Sequence, residues 1–554
     1  MPRVAAVVAA LAAFLWQASL YPAVPNSDDA YISYRYAENL ARGAGPVFNP
    51  GERVEGYTDP LWVALLAGLH RLGADTPRTA YLLSVALGAL CIVLASLWPS
   101  RLAPVLQSSA LGGPGDAPWC TRRGLALWGG AAALVLGCSH ALAFHAVQGL
   151  ETTLMAAAVS GALMALEPGS GRPGWASAAL FLLAMLTRPE ALLVFLVAVG
   201  VFAVRRAPAG ARILSRELAP AAGTLAAYAG FLAWRLAYYG ALVPNTYFAK
   251  RAALGADFAS GAAYVGEWLT RGSGAVLVAA CAVIALALGR HVLATWPFVL
   301  LAVHAVAVVT TGGDHFPLGR FFVPLAPLAA ALAGLAVALV PAAARRLAPA
   351  WARGAVVGVV QGAALAGAVA ALAVPGVLGS RVADTIYTRF TGKWVHLGKV
   401  LRGTVPQGTT IALSPVGAIP YFSGLPTVDI LGLTDAHIAR AAADPAIARK
   451  GHQKHDGAYV LSRAPGLLIL GNGMIVSRDG AQPGDLWWFP DAGFGADGAA
   501  VRGRRVDLRA EGGALAYEAD IESNPAFARL YRPALIPLEG GLELLVWRRA
   551  AAPR

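Results

Sequence analysis

Long apolar runs, each closed by a short polar or basic interval, set the pattern of the first two thirds of the chain. A bilayer core of roughly 30 Å takes about 20 apolar residues per helix, and fewer where a helix is held inside a bundle. On that measure the spacing predicts spans near 4–22, 79–98, 125–147, 151–167, 174–187, 191–205, 217–238, 273–289, 292–310, 321–342 and 354–375. The pair covering 174–205 is short and broken by Arg188, Pro189 and Glu190, so it reads as a hairpin that stops short of a full crossing. The run 60–72 (PLWVALLAGLHRL) carries His70 and Arg71 and is too short to span, which suits a helix lying along the surface. The N-terminal run has the charge, length and small residues near Ala23 of a secretion signal. The many spans after it favour an uncleaved first helix.

Orientation follows from the basic loops. Arg101, Arg122 and Arg123 form one cluster, Arg205, Arg206, Arg212 and Arg216 a second, and Arg345, Arg346 and Arg353 a third. All three fall on the cytoplasmic side if the N-terminus is inside and residues 23–78 form one long outer loop. After Pro375 the apolar pattern gives way to charged residues, turns and short runs rich in strand formers at 410–413, 427–431, 466–471 and 542–547. The expected fold class is therefore a polytopic α-helical membrane protein of about eleven transmembrane helices over residues 1–375, with a soluble α/β domain over 376–554 on the outer face. The C-terminal domain is then expected on the extracytoplasmic side of the membrane.

Composition strengthens the membrane reading. The chain of 554 residues is 57% hydrophobic and 14% charged, with a mean hydropathy of +0.58. Soluble chains carry about 25% charged residues, so lipid must solvate much of this surface. The net charge of +13 comes from arginines in short clusters between apolar segments. Nucleic-acid binding calls for basic runs with interleaved aromatics, so no nucleic acid partner is expected. The four cysteines show neither a disulfide framework nor zinc spacing. No phosphate-loop or dinucleotide fingerprint follows a predicted strand.

The outer loop after the first helix carries the densest candidate chemistry. It begins with the adjacent carboxylates Asp28 and Asp29, which are costly beside lipid unless solvated, paired or bound to a cation. Ser27 or Asp28 can cap a helix running on through Tyr31 to Ala41. Either carboxylate can also deprotonate an acceptor hydroxyl while its neighbour orients it or holds a divalent cation. Tyr31, Glu55 and Tyr57 of the same loop are candidates to line a polar substrate pocket. His452, His455 and Asp456 have only generic metal spacing and read as a solvated loop.

The string DDAYISYRYAENLARGAGPVFNPGERVEGYTDPLW, residues 28–62, resembles the opening loop of the GT-C class of membrane glycosyltransferases. Within that class it is most similar to the mycobacterial terminal arabinofuranosyltransferase family and its bacterial relatives. TRPE at 187–190, GGDHFPLGRF at 312–321 and DILGLTD at 429–435 match too, so the likeness covers most of the chain. It implies a polyprenyl-phosphoryl sugar donor, a glycan or glycolipid acceptor at the outer surface, and Asp28 or Asp29 as catalytic base.

A departing lipid phosphate needs cationic donors, and the planar fork of Arg fits it best. Arg320 and Arg188 are placed at outer helix ends for that role, with Lys250 behind them. Asp314, His315 and Glu151 are candidates for contact with sugar hydroxyls. No cofactor is required beyond an optional divalent cation. The rival readings are a lipid or glycan transporter, weakened by the lack of an internal repeat, and a non-catalytic glycan-binding membrane protein.

Overall fold

The computed structural model describes residues 2–22, 25, 27–109, 118–166, 174–207, 216–251, 254–270, 272–314, 316–347, 356–447, 451–473, 475–477, 516–538 and 542–550. The chain divides into two compact units. Unit 1 comprises Met1–Ala23, Tyr81–Leu232 and Gly255–Arg381, and unit 2 comprises Val24–Ala80, Ala233–Leu254 and Val382–Arg554. The first outer loop, which the sequence groups with the membrane part, clusters instead with the C-terminal residues.

Unit 1 is helical. Its core is built where Arg122–Gly137 packs on Ala326–Leu347, which also packs on Gly272–Leu288, while Pro2–Ala18 lies against Arg122–Gly137. Small residues let these backbones approach. A Cβ on Gly137 would stand 2.4 Å from the Ala10 carbonyl oxygen, and one on Gly334 would stand 2.6 Å from that of Trp128. The Trp128 indole donates to the Ala331 carbonyl at 2.5 Å, tying the same two helices together.

Each predicted apolar segment is helical over most of its length. Among the described residues, Thr76–Gln107 and Arg320–Ala344 are long and apolar enough to span alone. Two bent pairs, Arg122–Gly137 with His140–Ala146 (57°) and Asp257–Thr270 with Ser273–Leu288 (66°), bring the number to four if each is one span. The other apolar helices, Pro2–Ala18, Thr152–Met164, Trp175–Thr187, Ala191–Val204, Trp296–Thr310 and Gln361–Ala370, are only 10–17 residues long. The bend at 138–139 falls where Cys138 closes one helix and Ser139 opens the next. The expected span at 354–375 runs on without a break as Val356–Thr404.

Unit 2 holds a mixed sheet. Strands β1 (Ile411–Leu413), β2 (Thr427–Asp429) and β3 (Leu467–Ile469) are parallel in the order β2-β1-β3. Strand β6 (Leu542–Arg549) then runs antiparallel, meeting β3 along one half of an edge and β4 (Ile475–Ser477) along the other. Strand β5 (Tyr531–Pro537) covers the opposite edge of β6. Strands β1 and β3 are wholly apolar because both faces are covered. Leu413, Ile469 and Val546 face Leu397 and Leu401, while Ala412, Leu468 and Leu545 face Val460 and Ile521.

Candidate functional site

In unit 2, the opening string is tied into the C-terminal part by its polar side chains. Its helix, Asp28–Ala41, starts after Ser27, whose hydroxyl makes no cap bond. Asp28 instead caps a different helix. Its Oδ2 accepts from Gly417 N at 3.0 Å and its Oδ1 from Ala418 N at 2.7 Å, at the start of Ala418–Ser423. Only glycine fits beside it, because a Cβ on Gly417 would lie 1.9 Å from the Asp28 carbonyl oxygen.

Further along the same helix, the buried Arg35 donates to the carbonyls of Phe48 (2.8 Å), Pro420 (2.6 Å) and Leu425 (2.9 Å). Glu38 accepts from the Tyr421 hydroxyl. Asp28 is half-buried, and burial pushes its carboxyl up to about 7, helped by the charge of Asp29 and opposed by the two amide bonds. A carboxylate has about four lone-pair positions, so two remain for a substrate proton. An acid poised near neutrality suits general base chemistry.

The other loop candidates are packed more deeply. Tyr31 is a core ring, set against Tyr34, Tyr421 and Phe422 at 5.3–5.5 Å between centroids. Glu55 is 2% exposed and pairs with Arg235 at 2.9 Å. Burial pushes its carboxyl up to about 7 against the pull of that guanidinium. Tyr57 meets the Tyr239 hydroxyl at 3.1 Å. Glu55 and Tyr57 thus reach the same end of the helix Ala219–Tyr239.

Lys250 closes Asn245–Lys250, with its stem against Gly451. The DILGLTD string knots on itself: Asp429 accepts from the backbone of Leu431, Gly432 and Thr434 and from the Thr434 hydroxyl. The three residues read as a solvated loop are all engaged. His455 bridges Asp520 (2.9 Å) and Asp444 (3.5 Å), Asp456 holds His437 at 2.8 Å, and the His452 ring lies 5.5 Å from Tyr517.

Unit 1 assembles a second site from two of the matching segments, TRPE and GGDHFPLGRF, together with Glu151. Glu151 stands at the start of Thr152–Met164 and is 2% exposed. Its Oε1 accepts from Arg188 at 2.6 Å and from Arg320 at 3.0 Å. Arg188 closes the helix Trp175–Thr187 and also grips Glu190 at 2.7 Å. Arg320 reaches the Thr152 hydroxyl at 3.4 Å and Asp314 at 3.5 Å, and lies over the Phe316 ring.

The turn that aims Arg320 is tight. Leu318 has φ 62° and Gly319 φ 67°, and a Cβ on Gly319 would meet the Trp268 ring at 2.5 Å. His315 lies outside the described residues. Beside the turn is an apolar cleft lined by Leu142, Trp268, Leu277, Leu318, Phe322 and Leu325 among others. Among the described residues no group of three or more His, Cys, Asp or Glu has metal-holding geometry.

The structure therefore brings Glu151, Arg188, Arg320 and Asp314 together in unit 1, and places Asp28, Asp29, Tyr31, Glu55, Tyr57 and Lys250 in unit 2. Sequence reasoning missed Glu190, Arg35 and Arg235. Arg235 carried a usable signal, since an ionisable residue inside an apolar helix implies a buried partner.

The curated relatives that this chain is similar to carry the name of the enzyme that the motifs resemble. The chain is 33% identical over 353 residues to the terminal beta-(1->2)-arabinofuranosyltransferase of Corynebacterium glutamicum, covering 57% of this chain and 48% of that one. It is 32% identical over 258 residues to the enzyme of the same name from Mycobacterium tuberculosis, covering 44% and 37%. The chain thus spans about half or less of the length of these curated relatives. Residues 384–501 match a family model described as a domain of unknown function (DUF8728). Among solved structures, ArnT from Cupriavidus metallidurans aligns over 77% of this chain and 85% of its own. The TM-score is 0.48 in the apo state at 17% identity, and 0.49 bound to undecaprenyl phosphate at 15%.

Proposed function

We propose that this protein is a membrane glycosyltransferase that moves a sugar from a polyprenyl-phosphate donor to a glycan or glycolipid on the outer side of a bacterial inner membrane. The names of the relatives make arabinofuranose the first sugar to test. The observation that carries the reading is the Asp28–Asp29 pair on the first turn of its helix, with Asp28 anchored by two amides and its carboxyl raised to about 7.

In this mechanism the acceptor hydroxyl attacks the anomeric carbon and gives its proton to Asp28. The bond from that carbon to the phosphate oxygen breaks, and polyprenyl phosphate leaves with the electron pair. Asp29 keeps its neighbour basic through its charge. Taken by itself, the unit 1 cluster offers Arg320 and Arg188 as cationic groups for a lipid phosphate, beside an apolar lining that includes Leu318 and Phe322. One base suffices for an inverting displacement.

The test uses purified protein in liposomes with a labelled polyprenyl-phosphoryl pentose and an outer-surface oligosaccharide acceptor. Formation of one glycosidic product for each polyprenyl phosphate released is expected. Movement of the labelled lipid between leaflets with no glycosidic product would overturn the enzyme reading in favour of transport.

A further inference from the structure

Buried polar atoms in native proteins almost always have a hydrogen-bond partner, so those that lack one call for an explanation. His145 and Gln148 are two such residues, and neither belongs to the machinery assigned above. His145 is 1% exposed; the Pro317 backbone carbonyl is a loose partner of its ring, and neither ring nitrogen makes a hydrogen bond of ordinary geometry. Gln148 is also 1% exposed. Its amide nitrogen folds back to donate to the Phe144 carbonyl at 3.2 Å, and its Oε1 is left without a partner.

Both sit at the end of the short helix His140–Ala146, which packs against Thr152–Met164 and against the turn Arg320–Leu325. Arg320 and Asp314 lie within electrostatic reach of the imidazole. The orphaned atoms therefore border the Glu151, Arg188 and Arg320 cluster.

We infer that His145 and Gln148 form a recognition subsite for the neutral hydroxyl groups of the donor's sugar. This rests on the glycosyltransferase reading. The chemistry of the atoms favours hydroxyls over a second anion. In the adjacent cluster, two guanidiniums face the three carboxylates Glu151, Glu190 and Asp314, so the surroundings carry no spare positive charge. A neutral imidazole offers one N–H and one lone pair, and the Gln148 oxygen offers lone pairs only. With the N–H turned to the Pro317 carbonyl, the remaining imidazole lone pair and the Gln148 oxygen both call for donors, which sugar hydroxyls supply.

The inference separates binding from folding. Isosteric apolar replacements, His145→Phe and Gln148→Met, remove orphaned polar atoms from the unliganded protein, so its melting temperature should hold or rise. The same replacements should weaken binding of a polyprenyl-phosphoryl pentose by about 10- to 100-fold, while plain polyprenyl phosphate binds as to wild type. Both affinities are read by tryptophan fluorescence in nanodiscs, with Arg320→Gln as the control that loses both lipids. Undiminished affinity for the glycosyl lipid in both variants would overturn the subsite while leaving the proposed function standing. A melting temperature lowered in both, with both lipids lost equally, would make the residues structural and overturn it as well. Wild-type protein that binds neither lipid would overturn the functional reading itself, and the subsite with it.

Discussion

Glu151 is the one carboxylate shared by both guanidiniums of unit 1, and replacing it with alanine tests whether that cluster is a structural keystone. Its Oε1 accepts charge-assisted bonds of 2.6 Å from Arg188 and 3.0 Å from Arg320 while only 2% exposed. Arg188 would keep Glu190, but Arg320 would be left with Asp314 at 3.5 Å, beyond a strong hydrogen bond. Breaking a buried pair by removing one partner costs about 3–5 kcal/mol, because the remaining charges stay buried without compensation. Unfolding in detergent micelles, followed by fluorescence of the 14 tryptophans, should show a loss of that size.

The gentler Glu151→Gln adds a second readout. Two guanidiniums against three carboxylates give the cluster a net charge of −1, and the amide brings it to neutral. Polyprenyl phosphate should then bind as well as to wild type or better, while Arg320→Gln should bind it worse. Glu151→Ala protein whose stability stays within about 1 kcal/mol of wild type would refute the keystone role. Loss of phosphate binding in a folded Glu151→Gln would refute the charge argument.

Further outcomes follow from unit 2. The rate constant kcat/KM should fall tenfold per pH unit below about 7 and level off above it, because Asp28 must be unprotonated to accept the acceptor's proton. A profile flat from pH 5 to 8 in steady-state assays would remove Asp28 from that role. Asp29→Asn deletes the like charge that helps raise Asp28, so the acid limb of the same profile should move to lower pH. Gly417→Ala forces a Cβ onto the Asp28 carbonyl and should lower the melting temperature together with activity, whereas Gly403→Ala, on an open helix face, should lower neither.

The sequence was most informative where a pattern is local. The apolar runs locate the helices of unit 1 to within a few residues at most ends, and the runs at 410–413, 427–431, 466–471 and 542–547 each contain a strand. Strand β5 escaped because Pro533 and Pro537 make its segment read as turn; it lies at a sheet edge, where proline's missing N–H is tolerated. The change in composition after Pro375 suggested a boundary, but the helix Val356–Thr404 continues through it.

Partners far apart in sequence were not legible at all. Nothing in the spacing tells Glu55 to find Arg235, Asp28 to find Gly417, or Arg35 to find Pro420. The opening string was recognised as specific without its physical reason, which is that its polar side chains clasp residues 417–427 as much as they offer chemistry to a substrate. Glu151, a candidate from the sequence for contact with sugar hydroxyls, stands at the centre of a buried ion-pair cluster whose partners the sequence did not reveal.

In the proposed reaction the acidic pair of the opening helix takes the acceptor's proton during sugar transfer. The most direct measurement is the single-turnover rate of glycosidic bond formation by Asp28→Asn in liposomes, with donor binding measured on the same sample. A rate reduced by about 10²- to 10⁴-fold with donor affinity retained is what this account predicts. Transfer at the wild-type rate by Asp28→Asn would contradict it.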